Sequence, residues 1–173
     1  MAVLAYVLVA SPWKNATVAA TNPTPTTAAI NSIPAPTVGG STVDTSGQPQ
    51  HITVQHILIG FKDAVGFQGK APGKAAARTE ADAKTLAYQI LDRAKKGENY
   101  DQLVKDYTDD QAPGIYKLAN NNVTPSGTDE YARQGMVPAF GNVGFTLQVG
   151  EIGIADYDPA TSPYGWHIIK RVN

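Results

Sequence analysis

The texture of the chain changes at His51. From there "HITVQHILIGF" alternates and is rich in β-branched residues, a pattern that predicts a strand. Phe61 to Ala77 is a Gly/Lys/Ala loop with one proline. Thr79 then stands as a helix N-cap, with Glu80 and Asp82 in the first turn complementing the positive helix end. Ala83, Leu86, Ala87, Ile90, Leu91 and Ala94 recur at helical spacing and define a buried face. Lys95, Lys96 and Gly97 supply the basic last turn and the C-cap. A second helix starts near Asn99, carries the stripe Tyr100, Leu103, Val104 and Tyr107, and ends at "TDDQAPG". "IYKLA" reads as a short strand and Asn120 to Thr128 as a polar loop. "EYARQGMVPAFGNVGF" predicts a short helix weakened by Gly141 and Gly144. A turn at Val149-Gly150, a strand at Ile152 to Ala155 and a closing strand in "YGWHIIKRV" complete the order β-α-α-β-α-β-β. That order predicts an α+β domain, a small sheet with helices packed on it.

No such pattern precedes His51. Thr21 to Gln50 is rich in Pro, Thr, Ala, Ser and Gly without a sustained period. It buries too little apolar area to offset its ordering entropy, and its prolines keep it extended. It reads as a disordered stalk, with an arm lying against the domain as the other reading. Met1 to Val9 is apolar apart from Tyr6, and Trp13 and Lys14 follow. The run is too short to span a bilayer, which takes about 20 apolar residues. Its length fits a signal-peptide core, although no Lys or Arg precedes it. A cleaved signal, the end of a truncated membrane anchor and a plain apolar terminus all stay open. The expected organisation is an N-terminal segment over 1–20, a linker over 21–50 and a folded domain over 51–173. An extracytoplasmic, secreted or membrane-anchored location follows if the first segment is a targeting signal, and a cytoplasmic one if it is not.

Composition narrows the chemistry. Charged residues make up 17% of the 173, and residues 1–50 hold only two, Lys14 and Asp44, so the rest has an ordinary surface. A net charge of -1 leaves no electrostatic footprint for nucleic acid. With no cysteine there is no disulfide, thiolate nucleophile or thiolate-held metal. The histidines, His51, His56 and His167, match no compact metal motif.

Four segments, in order, resemble the parvulin family of peptidyl-prolyl cis/trans isomerases: "VQHILI", "GENYDQLVKDYTDD", "GMVPAFGNVGFTLQVGEIG" and "SPYGWHIIK". The resemblance covers about His51 to Asn173. It implies a parvulin-like fold and catalysed rotation about Xaa-Pro bonds, acting on unfolded or secreted polypeptides as a monomer. No cofactor or metal is implied. The trans preference at such a bond is under about 1 kcal/mol, but the barrier is about 18–20 kcal/mol. An apolar site that favours the twisted amide over both planar forms is enough.

Residue by residue, the resemblance implies that Met136 and Phe140 hold the proline ring, with Phe145 as a neighbouring wall. If Phe140 walls the pocket, its ring should be partly exposed. Tyr116 or Leu118 stands where the family has a pocket leucine; "APGIYKLAN" replaces the usual Gly-Gly-Asp-Leu-Gly pattern, so the choice stays open. His56 and His167 match the family's paired histidines, either as catalysts or as the pocket floor, and Ser162 matches the hydroxyl of their network. Asp110 matches a position near the substrate carbonyl, or else it is a helix-terminal turn residue beside Asp109. Each apolar residue, taken singly, also fits ordinary core packing. Gly60 replaces the basic residue that phosphate-directed members carry after the first strand, and Lys62, Lys70, Lys74 and Arg78 are scattered through the loop, which argues against phospho-specificity. A non-catalytic module that holds extended peptides in the same cleft is the competing function.

Overall fold

The computed structural model describes residues 47–173. The apolar segment and the linker up to residue 46 lie outside the described residues. Five strands, β1 (His51–Ile59), β2 (Ile115–Ala119), β3 (Glu130–Ala132), β4 (Ile152–Ala155) and β5 (Trp166–Arg171), form one sheet in the order β3-β2-β1-β5-β4. β3 runs parallel to β2 and every other pairing is antiparallel. The last strand therefore enters the sheet beside the first. β1 sits at the centre and is buried on both faces from Gln55 to Ile59.

Strand alternation sorts the side chains between two layers. Gln55, Ile57 and Ile59 share a face with the Trp166, Ile168 and Lys170 of β5. The helices α1 (Glu80–Lys95) and α2 (Tyr100–Tyr107) cover that face. Its one deep hydroxyl, Tyr100 OH, donates to the Ile168 carbonyl at 2.9 Å. α1 begins as expected: Thr79 and Asp82 form a reciprocal capping box, and Gly97, at φ 90°, follows the C-cap. Asn99 caps α2 through Gln102 N–H at 2.9 Å.

Ile52, Val54, His56 and Leu58 face the other layer, covered by α3 (Pro138–Thr146). The expected helix over 130–145 is corrected here. Residues 130–132 pair with β2, 133–135 form a single 3-10 turn, and α3 begins only at Pro138. Proline fits the first helical position, but it holds Val137 extended, at φ -55° and ψ 121°, so the helix cannot run back. Gly141 costs helix propensity, yet a Cβ there would come within 3.0 Å of the Arg133 stem. Arg133 is buried across α3, over the Phe145 ring at 4.7 Å. It donates to Gln48 Oε1, Asn120 Oδ1 and Asn142 Oδ1 at 2.7, 2.8 and 2.9 Å. Asn120 also donates through Nδ2 to the Pro49 carbonyl and through its backbone N–H to that of Gln50. Residues 48–50 thus lie against the domain.

Candidate active site

The α3 face of the sheet carries a chain of polar side chains in an otherwise apolar layer. β1 presents His56 and β5 presents His167, which stands opposite Leu58. Their rings stack with centroids 5.4 Å apart and planes 20° apart, Nδ1 to Nδ1 at 3.3 Å. Both are fully buried. Asp110 reaches them from the turn after α2. One oxygen, Oδ2, meets His56 Nε2 at 3.1 Å and accepts from Tyr116 OH at 2.7 Å. The turn's backbone reaches solvent, but the carboxylate is 0% exposed.

The neighbouring residues fix that carboxylate in place. Leu58 N–H donates to Thr108 Oγ1 at 3.1 Å, and Asp109 N–H returns to the Leu58 carbonyl at 2.8 Å. Asp109 Oδ2 accepts from Gly60 N–H at 2.8 Å and from the Arg78 guanidinium. Burial pushes the Asp109 carboxyl above the usual carboxylate range, against the pull of Arg78 and of the Gly60 N–H. The two adjacent aspartates therefore divide the work: Asp109 ties the turn to the end of β1, and Asp110 points inward.

The electrostatics follow from burial. Desolvation first, and then the charge of His56, push the His167 pKa down to about 3, with Asp110 pulling the other way. His167 is a neutral imidazole at neutral pH. With Asp110 ionised, His56 must donate from Nε2. If His56 is also neutral, its Nδ1 accepts, and His167 donates from Nδ1. In that state a single carboxylate would order both tautomers.

Aromatic rings enclose this chain. Phe140 lies edge-on to His56 and His167, with centroids at 5.0 and 5.5 Å, and Tyr116 edge-on to His56 at 5.2 Å. The expected partial exposure of Phe140 is corrected: the ring is 0% exposed, because α3 presses it onto the histidine pair. Met136 and Tyr116, each 6% exposed, reach closer to the surface. Tyr116 carries the contacts with Asp110 and His56, whereas Leu118 lies fully buried two residues along, opposite Ile52. Phe145 stands apart from the ring cluster, under Arg133. Ser162 is buried, and its hydroxyl donates at 2.8 Å to the carbonyl of Gly165, the turn residue before β5. A Cβ at Gly165 would sit 2.1 Å from the Ile59 carbonyl, so this turn requires glycine. Tyr131 was not foreseen; its ring centroid is 6.0 Å from that of Tyr116. It sits on β3, inside the stretch expected from the sequence to be helical.

Residues 41–173 match the model of the PPIC-type PPIase domain. The chain belongs to this family, the parvulin-type peptidyl-prolyl isomerases. It is 32% identical over 109 residues to the foldase protein PrsA of Bacillus subtilis, covering 61% of this chain and 31% of that one. To the chaperone SurA of Pseudomonas fluorescens it is 29% identical over 93 residues, 54% of this chain and 19% of that protein. It therefore spans less than a third of the curated relatives it matches. The peptidyl-prolyl isomerase ESS1 of Candida albicans has a similar fold, with a TM-score of 0.53 at 19% identity over 75% of this chain and 69% of that one. Within this parvulin-type domain, "VQHILI" supplies β1 and "SPYGWHIIK" supplies β5 with the turn before it.

Proposed function

We propose that the chain is a peptidyl-prolyl cis/trans isomerase acting on Xaa-Pro bonds of unfolded or secreted polypeptides, with the α3 face of the sheet as its site. Membership of the family supports the reaction. The single observation that carries the location is the hydrogen-bonded chain Tyr116–Asp110–His56–His167. Burying such groups costs stability that an apolar core would not, so the fold alone does not call for them.

In this reading the proline ring rests on Met136 and Tyr116, with Phe140 behind them, Phe145 and Leu118 as outer packing and Ser162 holding the β5 turn. Asp110, His56 and His167 set the field felt by the rotating amide. As the C–N bond twists, the carbonyl loses resonance and the nitrogen becomes a hydrogen-bond acceptor. Groups fixed before that moment need no reorganisation during it.

The loop cations support action without a phosphate. Lys74 donates to the Asp106 carbonyl in the last turn of α2, Arg78 is held by Asp109 and the Gly60 carbonyl, and Lys62 lies 3.8 Å from Asp63. We also propose an extracytoplasmic location, from the apolar N-terminal run. The test is an isomerisation assay on Ala-Pro and phosphoserine-Pro peptides. The unphosphorylated peptide should be turned over at least as well. Binding without turnover would leave a peptide-holding module instead.

A further inference from the structure

Among the described residues, the sheet is open at one place beside this site. His56 N–H donates to the Gly114 carbonyl at 2.9 Å, which makes that pair hydrogen-bonded across β1 and β2. The next residue, Ile115, then turns its N–H and C=O away from β1, by the alternation of an antiparallel ladder. β3 pairs with β2 only from Lys117 to Ala119, so it stops short of Ile115. A groove of about 360 Å³ opens there, lined by Pro113, Ile115, Tyr116, Lys117, Asp129 and Tyr131 among others. Ile115 is 51% exposed and puts an apolar side chain on the groove. Lys117 Nζ and Asp129 Oδ2 pair at 2.7 Å, so the rim carries no net charge. This segment is also where the sequence departs from the family pattern.

We infer that the free edge at Ile115 is a second substrate subsite, where an extended, uncharged stretch flanking the proline adds itself to β2. The inference rests on the proposed isomerase reading. It is carried by continuity: Tyr116 lines the groove with one side and touches Asp110 and His56 with its ring and hydroxyl. A chain leaving the proline site along Tyr116 meets outward backbone groups and an apolar wall. Unpaired strand edges recruit extended peptides in this way.

Labelled peptides separate this inference from the isomerase reading. A tetrapeptide containing Ala-Pro is compared with the same peptide lengthened by three uncharged residues on either side, and with versions N-methylated at single flanking amides. Affinity is read by fluorescence anisotropy and turnover by the isomerisation rate. Extension on one side should tighten binding about tenfold, the scale of one or two net backbone hydrogen bonds. N-methylation on that side, or Ile115→Pro, should abolish the gain while leaving the tetrapeptide unaffected. If Ile115→Pro does not fold, the N-methylated peptide on the wild-type protein decides. Equal affinity for short, long and N-methylated peptides overturns the subsite even if all are turned over. Tighter binding of the long peptide, lost on N-methylation but without turnover of any peptide, upholds the subsite and removes the enzyme.

Discussion

The two faces of β1 bury similar strand residues and differ in the polar groups they hold. Toward α1 and α2, the deep hydroxyl of Tyr100 ends on a backbone carbonyl, and the Gln55 amide donates to the Pro113 carbonyl and the Asp101 carboxylate. Toward α3, the carboxylate of Asp110, the imidazole of His56 and the hydroxyl of Tyr116 end on one another. A polar group that serves the backbone is explained by the fold, whose buried carbonyls need donors. A carboxylate, an imidazole and a phenol buried and bonded to one another are not, because their desolvation is costly and the strand ladder does not require them. The comparison supports the α3 face as the proposed site: its buried groups are titratable and linked to one another.

The largest break in this contrast should come from Phe140→Ala. Had the ring been half exposed, its loss would cost little. Being fully buried against both histidines, it should cost about 3–5 kcal/mol in denaturant unfolding. A loss well under that range would mean that the ring lies open to a cleft in solution.

Next in size is an effect of pH. Burial depresses the folded-state pKa of His167 to about 3, from the 6.5 of an ordinary histidine. Above pH 6.5 the folded and unfolded rings are both neutral, and the group contributes nothing. Below it the unfolded chain takes up a proton that the folded chain refuses. Stability should then fall by about 1.4 kcal/mol per pH unit, toward the folded value. His167→Gln should flatten that slope between pH 6 and 4. An unchanged slope would show that the ring is not held neutral.

The smallest effects sharpen the comparison most. Tyr116→Phe and Tyr100→Phe each remove one buried hydroxyl and should each cost about 1 kcal/mol of stability. Only Tyr116→Phe should slow isomerisation, because only its hydroxyl sits on Asp110. Equal rates in both variants would erase the distinction between the faces.

The α1/α2 face was the more legible in the sequence. α1 followed from the spacing of Ala83, Ala87, Ile90 and Leu91 and from a local cap, and both α1 and α2 are amphipathic helices that pack one face only. β1 and β5 followed from β-branched runs. The site was half legible. The order of four motifs pointed to His56, Asp110, Met136, Phe140 and His167, but no single residue carried that information. Tyr131 and β3 escaped because a three-residue strand has no period to detect, and because its pairing with Leu118 depends on a loop of unpredictable path. The exposure of Phe140 escaped for a related reason. How tightly α3 presses on the sheet depends on residues far apart in sequence, among them Arg133 and Gln48. The proposed preference for Tyr116 over Leu118 rests on the position of Asp110, which the acidic turn alone did not give.

The central claim is that the chain isomerises Xaa-Pro bonds through the side-chain network on the α3 face. Its most direct test is the isomerisation rate of an unphosphorylated Ala-Pro peptide with the wild-type protein and with Asp110→Asn, after circular dichroism and thermal unfolding have shown both to be folded. Asparagine keeps the shape of the side chain and removes the carboxylate that meets His56 and Tyr116. The wild-type protein should accelerate the reaction, and the folded variant should lose about tenfold or more in kcat/KM. A folded variant as active as the wild type would contradict the account.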